Sequence, residues 1–356
     1  MITNTASLVV DGGRRRIALS LMLVCLYGCG GGSSSSPAPV GGSVGSTPVP
    51  PGQVTINRAS TYSVDVTYDL IYGQGLSHSD WNAANPVTVD LLLDVYVPNN
   101  EATLRPALVF IHGGGFRGGN KLTAPSVAFA SYFAERGFVG VAINYRLEGQ
   151  FGTIPGELNS AVDALVGLSS EQRNQIKAMY PATRDAKAAI RWLRANAEIY
   201  GIDPDHIAVA GGSAGSFISV ALGVTSEGDF TSELSAAEDS TLAATHLEQS
   251  SAVQVVVDHW GGPGTVELIA ETYGVDPWDA GDAPLSIVHG TDDMVVPFSD
   301  AEVLVAEYQR TGAPYEFYPL PGAAHSAWNA LVDNQTLEAL AFDFVARTLE
   351  LSVIEN

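Results

Sequence analysis

A serine between glycines marks the junction of an apolar run and a helix-like run, and this junction limits the fold more than any other stretch. Residues 207–210 (IAVA) have the pattern of a buried strand, Gly211–Gly215 (GGSAG) has the form G-x-S-x-G, and residues 217–224 have the pattern of a helix. Small neighbours are needed because a sharp strand-to-helix turn strains the serine backbone. The hydroxyl of Ser213 would then stand clear of a sheet, at a helix N-terminus whose partial charge is positive. The alternative is a plain glycine-rich turn.

Strand and helix patterns alternate along the chain from about residue 60. The predicted strands cover residues 87–97, 107–111, 138–143, 207–210, 253–257, 285–288 and 315–318, and the predicted helices cover 125–136, 185–200, 300–310 and 334–349, besides the one that follows Ser213. Parallel strands need such crossover connections. We therefore predict the α/β class, with a mostly parallel central sheet and helices on both faces.

Two long stretches interrupt this alternation. Residues 147–182 follow the strand that ends near Asn144 and contain the helix-like runs 161–168 and 171–180, whereas residues 226–250 are acidic and rich in Ser, Thr and Ala. The first stretch enters at the carboxyl edge of the sheet, where ligands bind in open α/β folds. We expect a helical insertion at 147–182, either a partial lid over Ser213 that walls an acyl pocket or a decoration packed on the sheet edge.

Three consecutive glycines follow the predicted strand 107–111. The sequence His112–Phe116 (HGGGF) leaves backbone N–H groups unshielded, and an acyl-transfer intermediate needs such donors at its oxyanion. We predict that the N–H groups of Gly114, Gly115 and Ala214 form an oxyanion hole, and we interpret His112 as a structural residue. The alternative is a phosphate-binding loop, but the next strand ends in an asparagine where a dinucleotide site would have an acid, and no Gly-Lys-Ser/Thr follows.

A serine nucleophile needs a general base, and the base needs an orienting acid. After a G-x-S-x-G turn the acid and then the histidine are expected in chain order. Among seven histidines, only His325 lies in a late small-residue loop, while its rival His259 precedes every plausible acid loop. The acid candidates Asp292 and Asp293 follow the strand 285–288.

No His/Asp/Glu cluster with metal-ligand spacing is found, so no metal site is predicted.

Together these stretches resemble the α/β-hydrolase superfamily, and within it the HGGG-type carboxylesterases and lipases, either hormone-sensitive-lipase-like or deacetylase/feruloyl-esterase-like. The resemblance covers residues 87–349 approximately and rests on the stretches 112–116, 144–147, 185–193, 201–204, 211–215, 289–297 and 321–325. It implies the α/β-hydrolase fold. In these families the acid is the aspartate of His-Gly-x-x-Asp, which is Asp293 here, with Asp292 as the fallback. Ser216 departs from the pattern, since many relatives have glycine at that position.

The predicted activity is hydrolysis of carboxylic esters, short-chain or carbohydrate-linked, by Ser213, Asp293 and His325 through an acyl-enzyme, without metal or organic cofactor. One alternative is a serine peptidase of the prolyl-oligopeptidase type, whose members are longer chains with a propeller. Another is a non-catalytic esterase-like binding module, which would be expected to lack the nucleophile or the base.

The 39 acidic and 17 basic residues give a formal net charge of −22, which argues against nucleic acid as a partner. The expected partner is a small-molecule or polysaccharide-linked ester.

The N-terminus resembles a bacterial lipoprotein signal. Arg14–Arg16 precede the apolar run 17–27, which is too short to span a bilayer, and Leu26–Cys29 (LYGC) is similar to a lipoprotein cleavage box. The resemblance implies lipid on Cys29 and favours the outer membrane; the alternative is an ordinary signal peptide. Residues 30–52 are mostly Gly, Ser and Pro, as in a flexible tether. We predict a signal peptide (1–28), a tether (29–55) and a hydrolase domain (56–356), held at the membrane only by the lipid.

Overall fold

The computed structural model describes residues 54–355 and, near the N-terminus, a pair of two-residue antiparallel strands, Ala6–Ser7 and Ala18–Leu19. Apart from those four residues, the predicted signal peptide lies outside the described residues, as do Cys29 and the tether up to residue 53. Val54 is buried and Thr55 lies in a strand, so the folded part includes the last two residues of the predicted tether. No helix among the described residues is long and apolar enough to span a membrane.

A single eight-stranded sheet forms the centre of the domain. The strands are β1 Thr55–Asn57, β2 Val64–Ser77, β3 Val87–Pro98, β4 Arg105–Ile111, β5 Val139–Ile143, β6 Ile202–Gly212, β7 Val255–His259, β8 Leu285–Gly290, β9 Tyr315–Leu320 and β10 Ser352–Ile354. The sheet order is β9-β8-β7-β6-β4-β5-β3-β2. Strands β4 to β9 are mutually parallel, and β3 pairs antiparallel with β5 and β2. The mostly parallel sheet is thus confirmed; β1 and β10 pair separately.

Helices cover both faces of this sheet. They are α1 Ala124–Ala134, α2 Gly156–Asp163, α3 Ser170–Ala195, α4 Ala197–Tyr200, α5 Ala214–Val224, α6 Gly264–Tyr273, α7 Phe298–Thr311 and α8 Leu337–Thr348. Because successive side chains of a strand point to opposite faces, Val109 and Phe110 belong to different buried clusters. The cluster of Val109 includes residues of α3, α5, α6 and α7, whereas the cluster of Phe110 includes residues of α1 and α8. The two buried clusters confirm the predicted helices on both faces.

The prediction of separate helices at 171–180 and 185–200 is wrong. Residues 170–195 form one helix that runs through Pro181. A proline inside a helix removes one backbone hydrogen bond and crowds the preceding turn, but here the surrounding packing compensates: the turns from Gln175 to Leu193 are buried, and Gly152 faces the proline ring, where a Cβ would come within 2.6 Å of it. The insertion 147–182 therefore continues into a core helix rather than ending before it.

The basic side chains of α3 hold the acidic stretch 226–250 against the domain. Lys187 donates to two backbone oxygens of this stretch at 2.5 and 2.9 Å, and Arg191 donates to Thr245 O at 2.7 Å. Arg184 forms a buried ion pair with Asp239 at 2.6 Å. Because these cations lie on one helix and face inward, the stretch is packed as a fixed part of the domain.

Candidate active site

Ser213 lies at the turn between β6 and α5 in a strained backbone conformation. Its φ is +56° and its ψ is −124°, a region in which a non-glycine residue is held only by its surroundings. Its N–H donates to His259 O at 2.9 Å. Gly215 is required by close packing, since a Cβ there would overlap the carbonyl oxygen of Ile111. The second glycine of G-x-S-x-G is thus explained by steric contact with β4, and the first, Gly211, by contact with Gly215 and Ser216 within the turn.

A histidine and an aspartate from two other loops reach this serine. His325, in the loop after β9, places Nε2 3.0 Å from Ser213 Oγ. Its Nδ1 lies 2.7 Å from Asp293 Oδ2, in the loop after β8. The two loops are joined by backbone hydrogen bonds, including Asp292 N to Ala323 O at 3.0 Å. The three predicted side chains are therefore brought into one hydrogen-bonded chain at the carboxyl edge of the sheet.

Asp293 is buried and held as an acceptor from both sides. Its Oδ1 accepts the N–H groups of Val295 and Val296 at 2.8 and 3.0 Å. Burial acts to raise the pKa of Asp293, but the hydrogen bond from His325 and these two N–H groups outweigh it, so the pKa lies below its ordinary value. His289 braces the same loop with Nε2 3.0 Å from Val296 O, and burial lowers its pKa. Asp293 is thus kept as a carboxylate.

Asp292, the fallback acid, does not enter this chain. It is exposed, and its carboxylate contacts the hydroxyl of Thr291 at 3.3 Å. The adjacent aspartates therefore point to different surroundings, and the geometry brings only Asp293 to His325.

The glycine loop after β4 lies directly beside the serine. A Cβ on Gly113 would come within 3.3 Å of Ser213 Cβ. Gly114 has φ +120° and Gly115 has φ +61°, conformations that favour glycine. Within residues 54–355, the N–H groups of Gly114, Gly115 and Ala214 donate to no other residue. These three donors are therefore available to a ligand bound at Ser213.

His112 fixes one peptide plane of this loop. Its Nδ1 lies 2.7 Å from Gly113 O, and because the peptide is planar and trans, holding that oxygen also sets the direction of the Gly114 N–H. The ring is stacked on Tyr145 with centroids 4.3 Å apart. Burial lowers the pKa of His112 to about 4, so the imidazole is neutral at pH 7 and Nδ1–H is the donor. His112 lies in the loop as a structural residue.

Two side chains behind the turn were not assigned a role from the sequence. The hydroxyl of Ser216 accepts His259 N–H at 2.8 Å and donates to Gly211 O at 2.8 Å. The ring Nδ1 of His259 also lies 2.9 Å from Gly211 O, and burial lowers its pKa to about 4. In the sequence, Ser216 stood out because many relatives have glycine at that position. His259, the rival base, braces the turn from behind and does not contact Ser213 through its ring.

Tryptophans form one side of the site. Trp260 and Trp328 pack edge-to-face with ring centroids 4.5 Å apart, and a Cβ on Gly212 would come within 2.5 Å of the Trp328 ring. Trp260 is fully buried, and its ring centroid lies 6.3 Å from that of His325.

In the part of the chain that the structure describes, no group of three or more His, Cys, Asp or Glu side chains is placed to hold a metal ion.

Known proteins share this architecture. A truncated carbohydrate esterase from gut microbiota superposes with a TM-score of 0.55 at 22% identity, covering 81% of this chain and 97% of that chain. Esterase 2 of Thermogutta terrifontis phosphorylated by paraoxon superposes with a TM-score of 0.53 at 26% identity, covering 78% and 95%. Its butyrate-bound form gives a TM-score of 0.51 at 25% identity, covering 77% and 94%. The fold is therefore the predicted α/β-hydrolase fold.

Sequence comparisons agree with the structural ones. The probable carboxylic ester hydrolase LipM of Mycobacterium tuberculosis is 24% identical over 306 residues, which are 81% of this chain and 61% of LipM. The chain thus spans less than two thirds of that relative's length. The BD-FAE family model matches residues 93–166 and 164–273, together just over half of the 356 residues. With the serine turn, the glycine loop and the strand order in place, the chain belongs to the BD-FAE family.

Proposed function

We propose that this protein is a serine carboxylic ester hydrolase that works through an acyl-enzyme. The observation that carries the proposal is the hydrogen-bonded chain from Ser213 Oγ through His325 to Asp293, at 3.0 and 2.7 Å. A nucleophile, a base within hydrogen-bond reach and a carboxylate that orients the base are the arrangement that acyl transfer requires. Similarity to LipM and to the Thermogutta esterase supports the ester bond as the target.

In the first step, Ser213 Oγ attacks the ester carbonyl carbon and His325 Nε2 takes the hydroxyl proton. Asp293 holds the proton on Nδ1 and stabilises the imidazolium that forms. The carbonyl π-electron pair moves to its oxygen, which becomes an oxyanion. When the tetrahedral intermediate collapses, the bond to the alcohol oxygen breaks, and His325 returns its proton to that alcohol as it leaves.

The oxyanion would be held by the N–H groups of Gly114, Gly115 and Ala214. These donors have no other partner in the described part of the chain, and Ala214 begins α5, whose N-terminus favours negative charge. Loss of one such donor typically costs about 3–4 kcal/mol of transition-state stabilisation. Water then attacks the acyl-enzyme with His325 again as base, which releases the carboxylic acid and restores Ser213.

The substrate class that we propose is short-chain or carbohydrate-linked esters. The butyrate-bound form of the Thermogutta esterase supports a short acyl group. The chemistry uses only side chains and backbone N–H groups of this chain, so the proposal requires no cofactor.

Paraoxon, which phosphorylates the Thermogutta esterase, provides the test. We expect the wild-type protein to hydrolyse p-nitrophenyl butyrate and to lose this activity as paraoxon places one diethylphosphoryl group on Ser213, located by peptide mass spectrometry. Ser213→Ala should neither hydrolyse the ester nor take the label. Ser219→Ala is the matched control, because Ser219 is a buried serine on the same helix whose hydroxyl donates to Gly215 O at 2.8 Å. Near wild-type hydrolysis by Ser213→Ala would refute the assignment.

We also propose export and membrane attachment through lipid on Cys29, as the N-terminal sequence implies. In that case residues 30–52 tether the domain to the membrane surface.

A further inference from the structure

The glycine loop that would bind the oxyanion has little rigidity of its own. Gly113, Gly114 and Gly115 follow one another, and glycine has the widest conformational freedom of any residue. Donors stabilise a transition state well only if they are already oriented when charge develops. The loop therefore needs contacts from outside to hold one conformation.

Contacts within the loop fix only its first half. Gly113 O is held by His112, and Gly114 O accepts the N–H groups of Arg117 and Gly118 at 3.0 and 3.1 Å. The next two carbonyls, which belong to Gly115 and Phe116, accept their hydrogen bonds from the insertion 147–182. Gly115 O accepts Gln175 Nε2 at 3.0 Å, and Phe116 O accepts Glu148 N at 2.7 Å.

The Gln175 contact is a buried side-chain contact between the insertion and the glycine loop. Gln175 is 3% exposed and Gly115 is also buried, so water does not replace the bond if it is lost. By contrast, the ion pair between Arg117 and Glu148 joins side chains that are 35% and 16% exposed, and such pairs contribute little.

The helix that carries Gln175 is firmly placed. Ser169 and Gln172 form a capping box at the start of α3, and Ile176 and Tyr180 on the next turns pack into the main core. An uncharged amide donates to a buried carbonyl without bringing a charge that would need a partner. Gln175 thus transmits the position of a core helix to the glycine loop.

We propose that the insertion 147–182 acts as a clamp on the glycine loop and that Gln175 is a positioning residue of the oxyanion hole. Gln175 holds the Gly115 carbonyl and so fixes the Gly115–Phe116 peptide plane. This plane is joined through the Gly115 Cα to the peptide that carries the Gly115 N–H, so the contact limits the rotation of that peptide from its far side. This inference rests on the proposed ester hydrolysis. It gives the insertion a part in catalysis that does not require it to cover Ser213; the lid stays a separate prediction.

The test uses Gln175→Leu and Gln175→Met, which fill the space without a donor. Asn174→Leu is the matched control, since Asn174 accepts Trp81 Nε1 at 2.9 Å from the same helix turn but away from the loop. We expect kcat for p-nitrophenyl butyrate to fall about tenfold in both Gln175 variants, less than the 10²- to 10³-fold loss of a whole oxyanion donor. KM should change less than about twofold, as for an interaction made in the transition state.

A second measurement separates positioning from general destabilisation. Butylboronic acid adds to the serine oxygen as a tetrahedral anion, and its affinity should fall about tenfold with kcat, whereas inhibition by butyrate should stay unchanged. Thermal unfolding of all variants identifies those that are folded. If both folded Gln175 variants match Asn174→Leu in kcat and boronate affinity while the wild type is active, the clamp is refuted and the proposed function stands. A wild type inert to all esters would refute both.

Discussion

Replacing Asp293 by asparagine should move the ring proton of His325 from Nδ1 to Nε2. Oδ1 of Asp293 accepts two backbone N–H groups, from Val295 and Val296. In Asp293→Asn the amide oxygen must stay at that position, because an NH₂ group there would face two donors. The NH₂ group is then directed at His325 Nδ1, where the carboxylate accepted at 2.7 Å.

An NH₂ group can only donate, so Nδ1 of His325 must become the acceptor and the ring proton moves to Nε2. Nε2 is the atom that lies 3.0 Å from Ser213 Oγ, and a protonated Nε2 cannot take the hydroxyl proton. In triad enzymes an inverted tautomer of this kind lowers kcat about 10⁴-fold. At about 1.36 kcal/mol for each factor of ten, this is ~5.4 kcal/mol of activation free energy.

The assay is steady-state hydrolysis of p-nitrophenyl butyrate at pH 7, with folding of the variant checked by thermal unfolding. Asp292→Asn is the control, since that exposed carboxylate touches only Thr291, and its kcat should stay within about twofold of wild type. A folded Asp293→Asn protein with more than a tenth of wild-type kcat, or a larger loss in Asp292→Asn, would refute the reasoning.

Two further predictions concern stability and location. Asp185→Asn leaves the buried guanidinium of Arg146 without its counterion, now 2.5 Å away, and should lower the free energy of unfolding by about 3–5 kcal/mol. Asp276→Asn, which breaks an exposed pair with Arg310, should cost at most about 1 kcal/mol; equal costs in urea unfolding would contradict this. Cys29→Ser should move the protein from the membrane fraction to the soluble fraction, and a variant that stays with membranes would rule out the anchor.

Most strands of the sheet could be predicted because they contain an apolar run followed by glycine or a polar loop. Residues 107–111 and 285–288, for example, lie within β4 and β8. The long edge strand β2 does not begin with such a run. Its first seven residues, from Val64 to Leu70, alternate between apolar and polar types, and none of them is buried. Pro181 misled the prediction of α3, because local sequence does not show that Gly152 leaves room for the ring.

The candidate site could be predicted to the extent that its residues follow strand ends. Ser213, Asp293 and His325 each follow one, and parallel strands place such residues at the same edge. The contacts of Gln175 and Ser216 could not be predicted, since both join segments far apart in the chain through backbone atoms. A hydrogen bond to a carbonyl places no requirement on the sequence of the residue that carries it.

The inward direction of the cations on α3 has a consequence for the field around the molecule. Lys187 and Arg191 are almost fully buried, so carboxylates dominate the exterior of a chain whose formal net charge is −22. Such a surface repels anions and attracts cations over distances longer than any contact. The proposed reaction converts a neutral ester into an anionic acid, so the same field speeds departure of the product and disfavours esters that already carry negative charge. The helix that fixes the 226–250 stretch thus places these two cations in the interior rather than on the acidic surface that an approaching ester would meet.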